Sequence, residues 1–197
     1  QAESSAASDV YKRQLSFFVA GMAAGTLIVG PLSDSFGRKP IIYYGASLYI
    51  FTSAVCVLSP SLEVILISRF LQGVGASAPR VVAQALVRDF YKGREMARIS
   101  SFIMIIFALV PAIAPLLGSF VMLAFNWRFI FLMFIAFVAA STMWMAFRID
   151  ESVTKEKRIE FNLKQVGLAF KEVLSNQMIL TAIITLVLSL IHISEPT

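Results

Sequence analysis

A chain of 197 residues that is 58% hydrophobic, 15% charged and has a mean hydropathy of +0.78 stands well apart from soluble domains, which run at about 45–50% apolar and about 25% charged. The formal charge of +5 would suit nucleic acid, but the basic residues form short clusters between apolar runs, which fits a positive membrane side and anionic headgroups instead. The single cysteine, Cys56, sits inside an apolar run, which excludes a disulfide framework or a thiolate metal cluster and reads as a buried structural thiol. An all-α polytopic membrane protein that binds no nucleic acid is expected.

In chain order, residues 1–14 are polar and stop abruptly at the apolar run that begins with Leu15. Ser4 to Gln14 back-translates to a string resembling a transposase-type sequencing adapter. Leu188 to Ile193 back-translates to the reverse complement of part of it. Two unrelated segments would rarely admit such an inverted repeat, so residues 1–14 and 188–197 are expected to be non-native and are set aside from fold reasoning. On that reading His192, the only histidine, has no functional role, and the chain is a fragment.

Leu15 to Leu32 is predicted as the first span, just long enough for about 30 Å of hydrocarbon. Gly21, Ala24 and Gly25 give it a small-residue face for close helix packing. Gly30 to Pro40 is predicted as a short polar turn. Gly37 supplies a backbone free to take positive φ, and Pro40 falls where a first helical turn has no hydrogen bond to lose. Arg38 and Lys39 mark a cytoplasmic edge, and Asp34, an acid among bases, is placed to pair or to cap.

Ile41 to Leu58 is predicted as the second span, and Ser59-Pro60-Ser61 as an uncharged external turn. Leu62 to Val87, the third, carries Arg69-Phe70-Leu71-Gln72-Gly73-Val74-Gly75. At about 100° per residue Arg69 and Arg80 fall within roughly 20° of each other, with Gln72, Gly73, Ala76, Ala83 and Gln84 in the same sector. Charges inside a span are costly and face a bundle interior or a wet cavity. Arg69, about two turns from the helix start, either does so or snorkels to the outer interface. Arg80 is deeper, and Pro79 before it removes a backbone donor.

Residues 88–98 are predicted as a loop holding Arg88, Asp89, Lys92, Arg94 and Arg98. Ile99 to Phe125 is the fourth span. Pro111, Pro115 and Gly118 recur there at helical spacing, and Pro115 crowds the carbonyl of Pro111, loosening the backbone ladder. Prolines in a membrane helix also serve packing alone, so both readings stay open. Asn126-Trp127-Arg128 is a brief external turn, and Phe129 to Phe147 is the fifth span, read as scaffold. Residues 148–174 are polar and basic, with Phe161, Leu163, Val166, Leu168 and Phe170 spaced for an amphipathic interfacial helix. Residues 175–187 begin a further span. Basic residues are concentrated in alternate connections: Arg38 and Lys39, then none, then four from Arg88 to Arg98, then Arg128 alone, then six from Arg148 to Lys171. Five spans put the connections at 33–40, 88–98 and 148–171 on one side, the cytoplasmic one.

Three of these stretches resemble signatures of the major facilitator superfamily of transporters. Gly30-Pro31-Leu32-Ser33-Asp34-Ser35-Phe36-Gly37-Arg38-Lys39-Pro40 is similar to the family's Gly-x-Leu-x-Asp-x-x-Gly-Arg-Lys-Pro between its second and third helices. Arg69 to Gly75 resembles Arg-x-x-Gln-Gly-x-Gly on the fourth. Ala114-Pro115-Leu116-Leu117-Gly118-Ser119 is similar to the antiporter pattern Gly-Pro-x-x-Gly-Gly on the fifth, with Ala114 and Ser119 in place of glycines. The Arg88-Asp89 ending resembles the bicyclomycin and chloramphenicol resistance (Bcr/CflA) branch.

The resemblance implies a partial major facilitator fold, helices two to six and the start of helix seven. It implies a proton-coupled exporter of small apolar or amphipathic drug-like compounds in a bacterial inner membrane, working by alternating access, with no cofactor beyond the proton gradient. Gly30, Asp34, Gly37, Arg38, Lys39, Arg88 and Asp89 would form the cytoplasmic loop signature and gate, with Asp34, Arg38 and Arg88 as a charged latch. Arg69, Gln72, Gly73 and Arg80 would line the transport cavity, Arg69 biasing the protonation of a nearby acid. Pro111, Pro115 and Gly118 would shape the helix around it. No nucleophile–base pair and no metal cluster suggests an enzyme. A carrier of sugars, organic acids or nucleosides shares the loop signature, and a non-transporting membrane scaffold is the alternative of another class.

Overall fold

The structure, a computed structural model, describes residues 2–152 together with 158, 167, 175, 177 and 181, with side chains from residue 9 onward. The chain divides into two units, Gln1–Ile159 and Glu160–Thr197. In the second, Gly167, Ser175, Gln177 and Thr181 are helical, and Thr181 Oγ1 donates to the Gln177 carbonyl at 2.7 Å. The amphipathic stretch expected at 161–170 and the span expected at 175–187 otherwise lie outside the described residues, as does the tail from residue 188.

The first unit is five helices: α1 (Ala2–Phe36), α2 (Arg38–Leu58), α3 (Leu62–Phe90), α4 (Gly93–Ala124) and α5 (Arg128–Arg148). Their order matches the expected spans, and their ends do not. α1 begins well before Leu15, because residues 2–14 contain no glycine or proline to stop a helix. It also continues to Phe36, so Gly30 and Pro31 lie inside a helix and the expected turn shrinks to Gly37 alone. Ser33 Oγ and Ser35 Oγ bond back to the carbonyls of Gly30 and Pro31 at 2.8 and 3.0 Å, satisfying polar side chains within the helix. The loop expected at 88–98 is similarly reduced to Tyr91 and Lys92, with Arg94 and Arg98 on the first turns of α4. In each case the polar end of a span continues the helix, since backbone bonds do not depend on hydropathy.

Gly37 makes the reversal. Its φ of 104° and ψ of 158° belong to a region almost closed to side-chain-bearing residues. An added Cβ would also lie 2.9 Å from a Glu151 carboxylate oxygen.

Among the described residues four helices are long and apolar enough to cross a membrane: Asp9–Phe36 within α1, α2, α4 and α5. α3 is not apolar enough by that measure, although its 29 residues would extend about 43 Å. Five spans were expected; α3 falls short because Arg69, Gln72 and Arg80 stand among small residues in its middle, on a helix that packs between two others. α3 lies against both α1 and α2, and α2 also packs on α5. Two glycines allow this. A Cβ on Gly73 would strike the Phe18 carbonyl of α1, and a Cβ on Gly75 would lie 2.7 Å from the Gly45 carbonyl of α2. Two residues apart on a helix is about 200° around it, so each glycine admits a different neighbour. Gly21, in turn, abuts the Phe70 carbonyl. Val29, Ile41, Ile42, Ala78, Val82 and Leu86 fill the centre of the three-helix wedge, and Cys56, Ile65 and Phe131 form a second buried cluster where α5 joins. Cys56 is fully buried, as a structural thiol should be. α4 meets α3 and α5 only lightly and buries none of its residues.

Candidate functional site: two polar centres along α3

One centre forms where α1, α2 and α3 end together. Arg38, the first residue of α2, is a hub with a side chain only 10% exposed. Its Nη1 pairs with Asp34 Oδ1 and donates to the buried Ser33 Oγ at 2.6 Å, both on α1. Its Nε donates to Asp89 Oδ2 at 3.1 Å, on α3. A guanidinium presents several donors in a rigid fork, so one arginine can hold two carboxylates and a hydroxyl in fixed relation.

The segment after α5 closes the same centre. Glu151 accepts from the backbone N–H of Arg38 at 2.8 Å and of Lys39 at 3.0 Å, one carboxylate oxygen each. These are the first two amides of α2, which have no partner within the helix and carry its positive dipole end. Ser152 Oγ donates to Asp89 Oδ2 at 2.9 Å, and Lys39 Nζ to the Ala146 carbonyl at 3.3 Å. Sequence reasoning missed Glu151 and Ser152. Their signal was faint: acid and hydroxyl directly after a span whose end faces a basic turn.

Asp34, Gly37, Arg38, Lys39 and Asp89 therefore come together. Arg88 does not join them. Neighbouring helical residues point about 100° apart, so with Asp89 turned to Arg38, Arg88 instead lines a cavity between α1 and α3. The carboxylate, not the arginine, of the Arg88-Asp89 pair engages the hub. Gly30 stands apart as well, with nothing within 4 Å of an added Cβ.

The second centre lies nearer the other end of α3. Arg69 Nη1 donates to Gln72 Oε1 at 2.9 Å, Gln72 Nε2 to Ser53 Oγ at 2.6 Å, and Ser53 Oγ to the Tyr49 carbonyl at 2.7 Å. Gln72 and Ser53 are fully buried, so a polar relay runs from α3 into α2. The guanidinium carbon lies 4.7 Å from the ring centre of Phe131 on α5, a cation–π contact. Phe131, expected as mere scaffold, thus covers the arginine. Arg69 Nε is buried and has no hydrogen-bond partner, and no carboxylate pairs with Arg69 among the described residues. Arg69 faces protein rather than snorkelling outward.

The remaining residues are dispersed. Gly73 lies in the α1 contact, and Arg80 is on the exposed side of α3, near Met22 and Phe107. Pro111, Pro115 and Gly118 sit within the continuous α4, and an added Cβ on Gly118 would meet nothing within 4 Å. Among the described residues no group of His, Cys, Asp and Glu could hold a metal ion.

The described helices thus form a bundle knotted by charge at one end, with a partly buried cation on α3. The chain belongs to the Major Facilitator Superfamily, whose sequence pattern matches residues 6–194. It is 37% identical over 159 residues to an uncharacterized MFS-type transporter, YdgK, of Bacillus subtilis, covering 79% of this chain and 39% of that protein. It is 42% identical over 116 residues to the multidrug resistance protein MdtL of Escherichia coli O157:H7, covering 59% of this chain and 30% of that protein. The chain thus spans well under half the length of these relatives.

Proposed function

We propose that the chain is part of a proton-coupled exporter of small apolar or amphipathic drug-like compounds, multi-pass in a bacterial inner membrane. The observation that carries this reading is the Arg38 hub, which ties three helices and the segment after α5 through two carboxylates and a capped helix end. Such a knot is strong while its partners are desolvated and weakens once water enters. It therefore suits an end of the bundle that is shut in one state and open in another. The basic residues around it favour a cytoplasmic position for that end, so its closure would belong to the outward-facing state. Arg69, with a donor left over, would bias the protonation of an acid brought near it from another helix. No covalent step is involved, and the proton gradient rather than a cofactor drives the cycle. The similarity to the multidrug resistance protein MdtL favours drug export over the wider range of carriers.

The test is expression of the full-length gene containing this sequence in a drug-sensitive host. Raised resistance, lost in Asp34→Asn and in Arg69→Ala with protein levels unchanged, is the expected result. Unaltered susceptibility to a broad drug panel would overturn export, and full activity of Arg69→Ala would overturn its role.

A further inference from the structure

We infer that the cavity between α1 and α3 beside Arg80 is a binding site for an anionic amphiphile, an apolar body carrying one anionic headgroup. The cavity is about 670 Å³, within the roughly 300–1,000 Å³ usual for small-molecule sites. Its α3 wall carries Arg80, Gln84 and Arg88, and its α1 wall carries Val19, Met22 and Thr26. No acidic side chain lines it. Charge on one wall and apolar surface on the other match the two ends of an amphiphile.

The cations there are unspent. Neither Arg80 nor Arg88 has a carboxylate partner among the described residues. Arg80 Nη1 reaches only the Met22 sulfur, at 3.5 Å, and its guanidinium lies 5.9 Å from the Phe107 ring centre on α4. A thioether is a weak acceptor. Asp89, next to Arg88 in sequence, is engaged by Arg38 and Ser152 and is unavailable. A guanidinium within a spanning segment is costly without an acid, and an incoming anion offsets that cost. Arg88 stands two turns nearer the Arg38 end than Arg80, about 12 Å along the helix. A headgroup entering from that end meets Arg88 first and settles between the two, its tail against Val19 and Met22. A cationic drug is repelled.

The same chemistry is met by an anionic phospholipid or by a soluble organic acid, and binding can be measured whichever it is. The consequence for transport, that organic anions are among the exported compounds, rests on the exporter reading; the binding itself does not. The test uses the full-length transporter containing this chain in phosphatidylcholine nanodiscs, titrated by calorimetry with 2-naphthalenesulfonate and with a naphthyl trimethylammonium ion of similar shape. The sulfonate is expected to bind at least tenfold tighter. Arg80→Gln and Arg88→Gln each weaken it about tenfold, Arg80→Lys retains most of it, and Arg94→Gln, outside the cavity, leaves it unchanged. Arg88 is exposed, so its variant carries the test should Arg80→Gln fail to fold. Competition by added phosphatidylglycerol identifies a lipid as the resident anion, and its absence a soluble acid. Equal binding of the two probes, or wild-type binding in Arg88→Gln, overturns the site. Intact sulfonate binding with unaltered drug susceptibility would instead overturn only the exporter reading.

Discussion

Arg38 and Glu151 are separated by 113 positions in the chain, yet the acid completes what the arginine starts, holding the first amides of α2 while Arg38 gathers Asp34 and Asp89. Capping a helix start is worth about 0.5–2 kcal/mol, so Glu151→Ala should lower the thermal midpoint of the detergent-solubilised protein by a few degrees, with Glu151→Gln intermediate. Equal midpoints for wild type and Glu151→Ala would contradict the cap. Gly37→Ala forces a side chain into a backbone region costing about 1–3 kcal/mol and presses it on the same carboxylate, so its loss should at least equal that of Glu151→Ala. At the other centre, Gln72→Leu leaves Arg69 and Ser53 without their shared partner. An orphaned buried polar group costs about 1–3 kcal/mol, and the same melting experiment reads it. Of these residues, sequence reasoning found Gly37, Arg38, Asp34 and Gln72 because each stands in a spaced pattern. Glu151 belongs to no period, and its role depends on where α5 happens to end.

At the scale of elements, α3 is the helix that the others surround. Two glycines two positions apart open it to α1 and α2 on opposite sides, a division of labour that a motif containing both cannot express. Gly73 was expected among cavity residues because its helical-wheel sector is shared with Arg69, but a wheel does not say which neighbour passes over that sector. Introducing bulk there should be damaging: Gly73→Val overpacks the α1 crossing, at about 1–3 kcal/mol. Gly118→Val on α4 has open space around it and is expected to be tolerated. Comparing yields of folded, monodisperse protein for the two variants checks this, and equal yields would contradict the crossing. Helix number and order were legible because runs of apolar residues mark spans. Helix ends were not, because α1 and α3 run on beyond their apolar runs into Ser33 to Phe36 and Arg88 to Phe90, and α4 starts before its own, at Gly93 to Arg98.

Across the described helices, polarity within the spans is concentrated along α3, and beyond the first turns of α4 the exposed surface of α4 and α5 is mostly apolar: Leu123, Phe137 and Phe147 are all more than 70% exposed. That distribution was visible in composition, whereas the pairing of Arg69 with Phe131 joins helices far apart in sequence and needed the fold. The role proposed for Arg69 requires that it face a protein-lined, water-reachable path in the working transporter rather than acyl chains. Cys56 is the single cysteine of this chain, so a background with Cys56 and every cysteine of the remaining sequence changed to serine, carrying a single Arg69→Cys, can be compared with one carrying Ile67→Cys, a position 60% exposed on another side of α3. In membranes holding the full-length transporter, a charged, membrane-impermeant thiol reagent should modify position 69 and leave position 67 unreacted. Modification at 67 with an inert 69 would contradict the account.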